Sequence, residues 1–346
     1  MLIGRNGSGK STIGDVLEIF RDIAQGETRV EMLVKPRLLS LLGDPKEPMR
    51  FEVDVLLQGR LYRYKIAFEL PGEVNKFRIL EEGLTVDEEV IFNRKQAQIT
   101  FFRGMTGNAN FVMDTSVIAL VTLHVASEKD PLSIFRSWLE KIIVISPIPT
   151  HMNEVCAESA LYPERNMKNF VDWLARLLEL QPAAHSILMS HLLSTIPDLK
   201  SLYFKDRGSG SKSLWIQYED GNAKLSLPFD TLSDGEKCFF IGATVLAVNE
   251  MHGPFLCFWD EPDNFMSVSE VGHFILSLRR GFKIPSQVLV TSHNMEAINK
   301  FHDDNTWLLT RNTALYPPKV SLLGDVRKGP PGFNDLTTAL ILGDLF

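Results

Sequence analysis

Hydrophobic and polar positions alternate with a period of two in one part of the chain. Phe51, Val53 and Val55 alternate there with acidic residues, and a second alternating run follows Gln58-Gly59. Two such runs separated by a glycine-containing pair are typical of a β-hairpin. Further short runs of the same kind follow, so the pattern predicts a strand-rich antiparallel lobe over residues 49–104.

A helical period of 3.6 is present in three other segments. In the first, apolar residues recur on one predicted helix face, at Ile13, Val16, Leu17, Phe20 and Ile23. Residues 114–141 and 153–194 show the same period, and a short apolar run at 142–145 separates them. The pattern predicts a helical segment over residues 105–141 and a helical lobe over residues 150–199.

Continuous apolar runs at residues 255–259, 288–290 and 307–309 alternate with helical segments. Such runs are typical of parallel strands that helices cover on both faces. A second hairpin is predicted at Asp220-Gly221, and residues 336–346 predict a closing helix or, alternatively, a partner-binding peptide. The predicted fold class is α/β, with a mostly parallel core sheet, a strand-rich lobe and a helical lobe. We treat the whole chain, residues 1–346, as one discontinuous domain whose core comprises residues 1–48, 142–149 and 200–346.

Composition and charge are those of an ordinary globular protein. The 346 residues are 45% hydrophobic and 23% charged, which is close to average usage. The net charge of −7 provides no overall basic field for nucleic acid. In the strand-rich lobe, acidic residues are as frequent as basic ones. We interpret its charged residues, including Glu82 and Arg94, as a solvated sheet face.

The cysteines and histidines do not form a recognisable metal or disulfide pattern. Cys156, Cys238 and Cys257 are widely separated and lack C-x-x-C spacing, which argues for a reducing compartment. His185 and His191 are six positions apart, a spacing that does not place both on one helix face. The apolar runs are far shorter than the roughly 20 residues of a membrane span, and the chain does not begin with a signal-peptide pattern. A cytoplasmic location is therefore expected.

The strongest chemical signal is the stretch Gly4-Arg5-Asn6-Gly7-Ser8-Gly9-Lys10-Ser11-Thr12, which has the P-loop form G-x-x-x-x-G-K-[ST]. Glycines allow successive backbone N–H groups to surround phosphate oxygens, and the helix that follows adds its positive end. Lys10 would reach the β- and γ-phosphates, and the Ser11 hydroxyl would bind Mg²⁺. The alternative is a glycine-rich turn that binds nothing. The candidate nucleotide-binding residues here are Arg5, Asn6, Gly7, Ser8, Gly9, Lys10, Ser11 and Thr12.

A second signal is the apolar run at residues 255–259, which ends in Asp260-Glu261. Asp260 would enter the Mg²⁺ shell beside the P-loop, because Mg²⁺ prefers one or two carboxylates together with phosphates and waters. Glu261 would face the attacking water and polarise, deprotonate or orient it.

Two further stretches have both a structural and a functional interpretation. Ser233 and Glu236 have the S-x-x-E spacing of a capping box, and the same helix start would also serve as a second phosphate site. His293 follows the apolar run at residues 288–290, where it would donate to the γ-phosphate. Each of these signals is weak by itself.

Together, and in this order, the motifs resemble those of ABC-type P-loop ATPase heads. Residues 4–11 match Walker A, residues 232–236 resemble the signature loop, and Asp260-Glu261 is similar to Walker B with its catalytic glutamate. Asp263 falls in the D-loop, and His293 matches the switch histidine. The wording is similar to the soluble RecF/SMC-like group, and within it to AAA-type ATP-binding proteins akin to the overcoming-lysogenization-defect and bacterial defence ATPases.

The resemblance implies a head-to-tail homodimer. ATP and Mg²⁺ would be clamped between Walker A of one subunit and the signature loop of the other. Ser233 and Gly235 would then contact the γ-phosphate across the dimer, and Asp263 would contribute to the nucleotide site. The catalytic residues would be Glu261 and His293.

The sequence departs from this family pattern at several positions. Asp234 stands where many signature loops have glycine, which places a carboxylate near an anionic ligand. The usual Q-loop glutamine is missing near residues 142–149, and Asn153 is a weak substitute. The P-loop begins at residue 4, so we expect either a misassigned or truncated start or a site incomplete on its adenine side. On that basis, we expect weaker nucleotide binding than by a chain extended upstream.

Two functions fit these observations best, and a third, a nucleic-acid-handling head like the repair ATPases, is disfavoured by the acidic net charge and the lack of a coiled-coil pattern. The first is Mg-dependent ATP hydrolysis at composite dimer sites, coupled to an effector or a DNA-associated complex in phage defence or DNA repair. The alternative is an ATP-gated binding or scaffold module with little turnover that regulates a partner protein. Glu261 favours hydrolysis, because a pure sensor needs no general base. A nuclease or toxin partner is implied by the resemblance alone, nucleic acid is not indicated by the charge, and no membrane partner is expected.

Overall fold

The computed structural model describes residues 1–34, 47–70, 76–102, 107–124, 127–208, 210–301, 303–311, 313 and 316–327. In that part of the chain the strands are β1 (Leu2–Gly4), β2 (Met49–Leu57), β3 (Arg60–Glu69), β4 (Arg78–Val86), β5 (Glu89–Lys95), β6 (Gln98–Phe102), β7 (Asn108–Val112), β8 (Ile143–Ile145), β9 (Val155–Cys156), β10 (Leu199–Gly208), β11 (Ser211–Asp220), β12 (Ala223–Pro228), β13 (Leu256–Trp259), β14 (Gln287–Val290), β15 (Trp307–Thr310) and β16 (Lys319–Leu322).

The α-helices of the same residues are α1 (Lys10–Ala24), α2 (Val30–Leu33), α3 (Ala119–Thr122), α4 (Pro131–Glu140), α5 (Phe170–Leu180), α6 (Ala184–Leu193), α7 (Asp234–His252), α8 (Val268–Gly281), α9 (Met295–Asn299) and α10 (Leu323–Arg327). Short 3₁₀ turns lie at Pro149–His151, Phe229–Thr231 and Asp303–Asn305. None of the helices in this part of the chain is long and apolar enough to cross a membrane.

The chain forms two compact units. The first contains Met1–Ser11, Ile143–Arg311 and Pro318–Phe346. The second contains Thr12–Ile142 and Asn312–Pro317. The earlier division into a core and three lobes stays a prediction.

The first unit is built on the parallel sheet that the apolar runs predict. Strands β8, β13 and β14 pair in parallel, and β1 pairs in parallel with β15. A parallel bridge between Leu2 and Thr291 joins the two groups, which gives the order β8-β13-β14-β1-β15. Strand β16 adds an antiparallel edge beside β15. The predicted α/β fold with a mostly parallel core sheet is confirmed.

The middle of helix α7, residues 237–247, lies in this unit's hydrophobic core and is buried on all sides. A helix without a solvent face is apolar around its whole circumference, which explains its run of phenylalanine, alanine and valine. At Gly242 it approaches α8 so closely that a Cβ atom would lie 2.5 Å from the Phe274 ring. The ring of Trp259, at the end of β13, meets the same Phe274 edge-on at 5.4 Å. This packing fixes the carboxyl end of β13.

A second, antiparallel sheet in the first unit contains β9, β10, β11 and β12. Its predicted hairpin is present, because β11 ends at Asp220 and β12 begins at Ala223. Gly221, in the turn, has a φ of 56°, a left-handed conformation that glycine adopts at little cost.

The second unit contains a six-stranded antiparallel sheet in the order β2-β3-β4-β5-β6-β7. Its predicted first turn is confirmed, since Gln58 and Gly59 have φ values of 53° and 79°, as type I′ hairpins require. One face of the sheet packs against α1, through Phe20 and Tyr64, and against α4, whose Phe135 stacks on Tyr62.

Glu82 and Arg94 correct the prediction of an entirely solvated charged face. Both side chains are fully buried, and their nearest charged atoms are 3.5 Å apart. Glu82 also accepts hydrogen bonds from the backbone N–H groups of Ala119 and Leu120, at 2.8 and 2.7 Å, and from the Tyr64 hydroxyl. The pair therefore ties the start of α3 to the inner face of the sheet.

The predicted long helical segments were too long. Within residues 114–141 the described helices are only α3 and α4, because Asp130 caps a new helix that begins at Pro131. Within 153–194 the helices begin only at Phe170. The loop before it is held by Asn169, whose side chain bonds Glu164 N and Tyr162 O. The antiparallel sheet also continues to β7, beyond residue 104, and the predicted closing helix at 336–346 lies outside the described residues.

Candidate functional site

The candidate site lies at the carboxyl ends of three neighbouring core strands. The P-loop follows β1, Asp260 follows β13, and Thr291 follows β14. Parallel strands present their carboxyl ends at one edge of the sheet, and ligands of open α/β sheets bind there, where the strand order reverses. Strands β14, β13 and β8 lie on one side of β1, and β15 lies on the other. The strand order therefore reverses at β1, and the P-loop follows this strand.

Glycine is favoured at three positions of the P-loop, for two different geometric reasons. Gly7 and Gly9 have φ values of 78° and 99°, in the left-handed region that favours glycine. At Gly4 a Cβ atom would collide with the backbone oxygen of Leu309 on β15. Glycine at these positions therefore allows the backbone turns of the loop and its close approach to β15.

The Lys10 side chain is buried against the carbonyl oxygens of its own P-loop. Its Nζ donates to the carbonyl oxygens of Gly4 and Arg5, at 2.8 and 3.2 Å, and the side chain is only 6% exposed. Burial lowers the pKa of Lys10, while the charges of Glu261 and Asp260 raise it. The ammonium group therefore faces both acidic residues of the Walker B motif.

The remaining P-loop residues lie around this ammonium group. Arg5, Asn6 and Gly7 are exposed, and Ser11 and Thr12 form the first turn of α1. The hydroxyl of Ser8 is buried and has no hydrogen-bond partner among the described residues. A phosphate oxygen bound at this glycine-rich loop would provide the missing partner of the buried hydroxyl.

Asp260 and Glu261 are held by one hydroxyl group. Thr291 Oγ1 donates to Asp260 Oδ1 at 2.6 Å and accepts from the Glu261 backbone N–H at 2.9 Å. Asp260 Oδ2 has no hydrogen bond within the described parts of the chain. It is therefore available to a cation, and binding of Mg²⁺ by Asp260 together with Ser11 stays a prediction.

Glu261 is in a strained backbone conformation, with a φ of 51°. Non-glycine residues seldom adopt this region, and when they do they are concentrated at functional sites. Its Oε2 accepts a hydrogen bond from Asn264 Nδ2 at 2.6 Å, and its Oε1 lies 3.4 Å from His293 Nε2. Burial and the nearby charge of Lys10 lower the pKa of His293, so its neutral form is favoured.

Asp263 lies inside the unit, with only 6% of its surface exposed. Its Oδ2 accepts a hydrogen bond from the Ser292 hydroxyl at 2.8 Å. Its Oδ1 is buried and has no partner in the described part of the chain. Burial raises the pKa of this carboxyl group, although the hydrogen bond from Ser292 opposes that shift. A direct contact between Asp263 and nucleotide stays a prediction.

The signature-like loop forms a complete capping box. Ser233 Oγ accepts from the Glu236 N–H at 3.2 Å, and the Glu236 carboxylate accepts from Ser233 N at 2.9 Å. Gly235 is required locally, because a Cβ atom there would lie 3.0 Å from the backbone oxygen of Phe265. The structural interpretation of this motif is thus present, and a role for Ser233 and Gly235 in nucleotide binding stays a prediction.

Three residues of the site were not predicted from the sequence. Thr291 lies two positions before His293 and Asn264 directly follows Asp263, but only the fold shows that both contact the Walker B pair. Arg165 had no sequence signal, and its Nη2 lies 3.4 Å from the Ser11 carbonyl oxygen. Asn153, the weak substitute for the Q-loop glutamine, uses its side-chain oxygen to accept from Val155 N in a local turn.

One protein family matches the N-terminal part of the chain. Residues 1–102 match the family described as "AAA domain, putative AbiEii toxin, Type IV TA system". No curated protein matches the chain.

Solved structures of SMC heads are similar to this chain at low identity. The SMC head bound to the C-winged helix domain of ScpA is 14% identical, with a TM-score of 0.47 over 94% of this chain and 91% of the other. The SMC head domain from Thermotoga maritima is 14% identical, with a TM-score of 0.38 over 93% and 88%. An SMC head with an extended coiled coil, bound to the C-terminal domain of ScpA and derived from Pyrococcus furiosus, is 13% identical, with a TM-score of 0.44 over 94% and 91%.

Proposed function

We propose that this chain, a P-loop ATPase of the RecF/SMC-like group, hydrolyses Mg·ATP at composite sites of a homodimer. In this proposal nucleotide binding closes the dimer and hydrolysis opens it, and the cycle drives an effector or a DNA-associated complex. The main support is the convergence of Lys10, Asp260, Glu261 and His293 at one sheet edge, where the charges of the two acidic residues act on the pKa of both Lys10 and His293.

The residues of the site divide the chemistry among them. Lys10 and the Ser8 hydroxyl would hold phosphate oxygens, and Ser11 with Asp260 would hold the metal. When bound, Mg²⁺ neutralises charge that develops on the transferred phosphoryl group. Glu261 accepts a proton from water or orients it. Asn264 supports this role because it fixes one oxygen of the carboxylate, which leaves the other near His293.

A second subunit is proposed because the signature-like loop could bind an anion, a function beyond the capping box that it forms within its own unit. Ser233 and Gly235 stand at the start of the 19-residue helix α7, whose N-terminal end attracts anions. In the proposed dimer this end faces the γ-phosphate held by the P-loop of the other subunit. The effector is proposed to be a nuclease or toxin in a cytoplasmic defence complex, on the strength of the motif resemblance alone.

One observation favours the alternative of an ATP-gated scaffold with little turnover. Lys10 is bound to the carbonyl oxygens of its own loop, so it must leave these partners before it contacts a phosphate. If release of Lys10 were coupled to a movement of the loop, that movement would limit turnover, as conformational steps do in many enzymes. Turnover measurements separate the two functions.

The deciding experiment compares the wild-type protein with Glu261→Gln. We expect Mg-dependent ATP hydrolysis by the wild type and a loss of about 100-fold or more in kcat for the variant, the range of general-base effects. Binding of a non-hydrolysable ATP analogue should persist. Glu250→Gln, which alters the exposed pair with His191, is the matched control. Equal turnover by wild type and Glu261→Gln would refute hydrolysis by this site, and binding without turnover would favour the scaffold.

A further inference from the structure

The hydroxyl of Thr291 is completely buried between the two acidic residues of the Walker B motif. Thr291 has 0% exposed surface. Its backbone is fixed on both sides, since its N–H donates to the Trp259 carbonyl at 3.1 Å and its residue bridges to Leu2. The position of the hydroxyl is therefore set by β13 and β1 together, the strands that precede Asp260 and the P-loop.

We propose that Thr291 is a positioning residue that aims Asp260 at the metal and holds Glu261 in its catalytic conformation. The proposal rests on the proposed function, because it assigns a role in the same Mg·ATP site. Its basis is the pair of hydrogen bonds to Asp260 Oδ1 and from Glu261 N, at 2.6 and 2.9 Å.

A single hydroxyl group makes both contacts. A hydroxyl has one donor and two acceptor lone pairs, and Thr291 uses the donor on Asp260 and one lone pair on Glu261 N. The donor bond restrains rotation of the Asp260 carboxylate, so that Oδ2 points away from Thr291. Carboxylates that bind metals are oriented by hydrogen bonds of this type, and loss of the orienting group typically weakens metal affinity or activity about 10- to 100-fold.

The acceptor bond acts on the backbone. Glu261 has a left-handed φ of 51°, a conformation that is unfavourable for residues other than glycine. Its N–H is directed at Thr291, and the bond stabilises the conformation that points the carboxylate toward His293. Loss of the hydroxyl removes this restraint together with the restraint on Asp260, so metal binding and turnover should decline together.

The test uses two variants of Thr291 in the full chain and one matched control. Thr291→Val keeps the shape and removes the hydroxyl, whereas Thr291→Ser keeps the hydroxyl. Thr244→Val is the control, because Thr244 is equally buried in helix α7 and its hydroxyl bonds only the Phe240 carbonyl, at 2.8 Å. Thermal unfolding is measured for all three proteins.

Two readouts are needed. The first is equilibrium binding of a fluorescent, non-hydrolysable ATP analogue across a Mg²⁺ titration. The second is the rate of ATP hydrolysis. For Thr291→Val we expect the Mg²⁺ half-saturation concentration to rise about 10-fold or more and kcat to fall about 10- to 100-fold. Thr291→Ser and Thr244→Val should stay within about threefold of wild type, a smaller change than loss of an orienting group.

Several outcomes would overturn the proposal. One is wild-type Mg²⁺ dependence and turnover in Thr291→Val, and another is an equal defect in Thr291→Ser, which would assign the effect to packing. If Thr291→Val is unfolded at the assay temperature, Thr291→Ala is measured at a lower temperature with the same expectations. If the wild type binds the analogue with Mg²⁺ but does not hydrolyse ATP, the proposed hydrolysis fails and the Mg²⁺ titration still decides the role of Thr291. Absence of Mg-dependent binding by the wild type refutes both.

Discussion

Nε2 of His293 lies 3.4 Å from Oε1 of Glu261, and both side chains are partly exposed at the edge of the core sheet. The imidazole is affected by one positive charge, that of Lys10, and by three negative charges, those of Glu261, Asp263 and Asp260. Burial has the largest effect on the pKa of His293 and lowers it, and Lys10 adds to that decrease. The three carboxyl groups oppose the shift without reversing it.

Stability should therefore depend on pH through His293. In the unfolded chain this histidine binds a proton near pH 6.5, and in the folded protein it does so only at lower pH. The unfolded state thus binds more protons in the interval between the two pKa values, so stability is complete above about pH 6.5 and falls as the pH decreases. We expect the wild type to lose melting temperature relative to His293→Gln over this interval. The melting temperature of both proteins is measured from pH 7.5 to 5, and an equal change in the two would contradict this role of His293.

The buried pair of Glu82 and Arg94 should be much more important for stability than exposed pairs on the same sheet. Arg94→Met leaves the Glu82 carboxylate buried without its cation, a change that typically costs about 3–5 kcal/mol. Arg63→Met is the control, because Arg63 and its partner Asp54 are more than half exposed and such pairs contribute about 0–1 kcal/mol. Denaturant unfolding followed by circular dichroism measures both variants. Similar losses for the two would refute the importance of burial.

Asp263 should reduce the stability of the folded protein at neutral pH. Burial raises its pKa, so the folded state binds more protons than the unfolded state above about pH 3.8. Stability therefore falls as the pH rises through the raised pKa. Asp263→Asn keeps an acceptor for Ser292 and removes the charge, and we expect it to be more stable by about 0.5–2 kcal/mol at pH 7.

The advantage of Asp263→Asn should shrink as the pH falls toward 4, because the wild-type carboxyl group is then neutral. Chemical unfolding at several pH values measures this difference. A variant that is less stable than wild type at pH 7 would show that the charge has a stabilising partner. Natural active sites often retain destabilising charges of this kind.

Ser233 and Ser267 allow capping to be separated from dimerisation. Each serine precedes a helix. Its backbone N–H donates a hydrogen bond of 2.9 Å to the carboxylate of the glutamate three residues later, Glu236 or Glu270. Replacement of either serine with alanine should cost about 1 kcal/mol of stability. Under the proposed function, only Ser233→Ala should lose dimerisation in the presence of a non-hydrolysable ATP analogue and Mg²⁺.

Sedimentation velocity with and without the analogue measures this effect. Equal dimerisation by the two variants would remove Ser233 from the composite site. Absence of an ATP-dependent dimer for the wild type would instead refute the homodimer itself.

Local sequence patterns were sufficient for the parts of the structure that depend on neighbours along the chain. The P-loop, the core strands and the capping box at Ser233 all follow from short motifs whose geometry is determined within a few residues. Thr291 and Arg165 could not be predicted in this way. Their contacts with Asp260 and Ser11 join positions far apart in sequence, and these contacts exist only after the sheet has formed.

The error at Glu82 and Arg94 has a different cause. Both residues are in phase with inward-facing apolar positions, since Leu84 and Phe92 on the same strands are fully buried. The alternation therefore contained the information. The balance of charge along the lobe is typical of a solvated face, whereas the phase of each strand indicates which charged side chains are buried.

The position of β1 between β14 and β15 has a consequence for the order of events during protein synthesis. Residue 2 pairs with residue 307 and bridges to residue 291, so the strand beneath the P-loop finds its neighbours only after about 300 further residues have been made. Contacts of such long sequence separation form slowly, and a strand without neighbours invites wrong pairing. The ribosome-bound chain should therefore be unable to bind nucleotide until nearly all of this sheet has emerged, so that its earliest motif is the last to become functional.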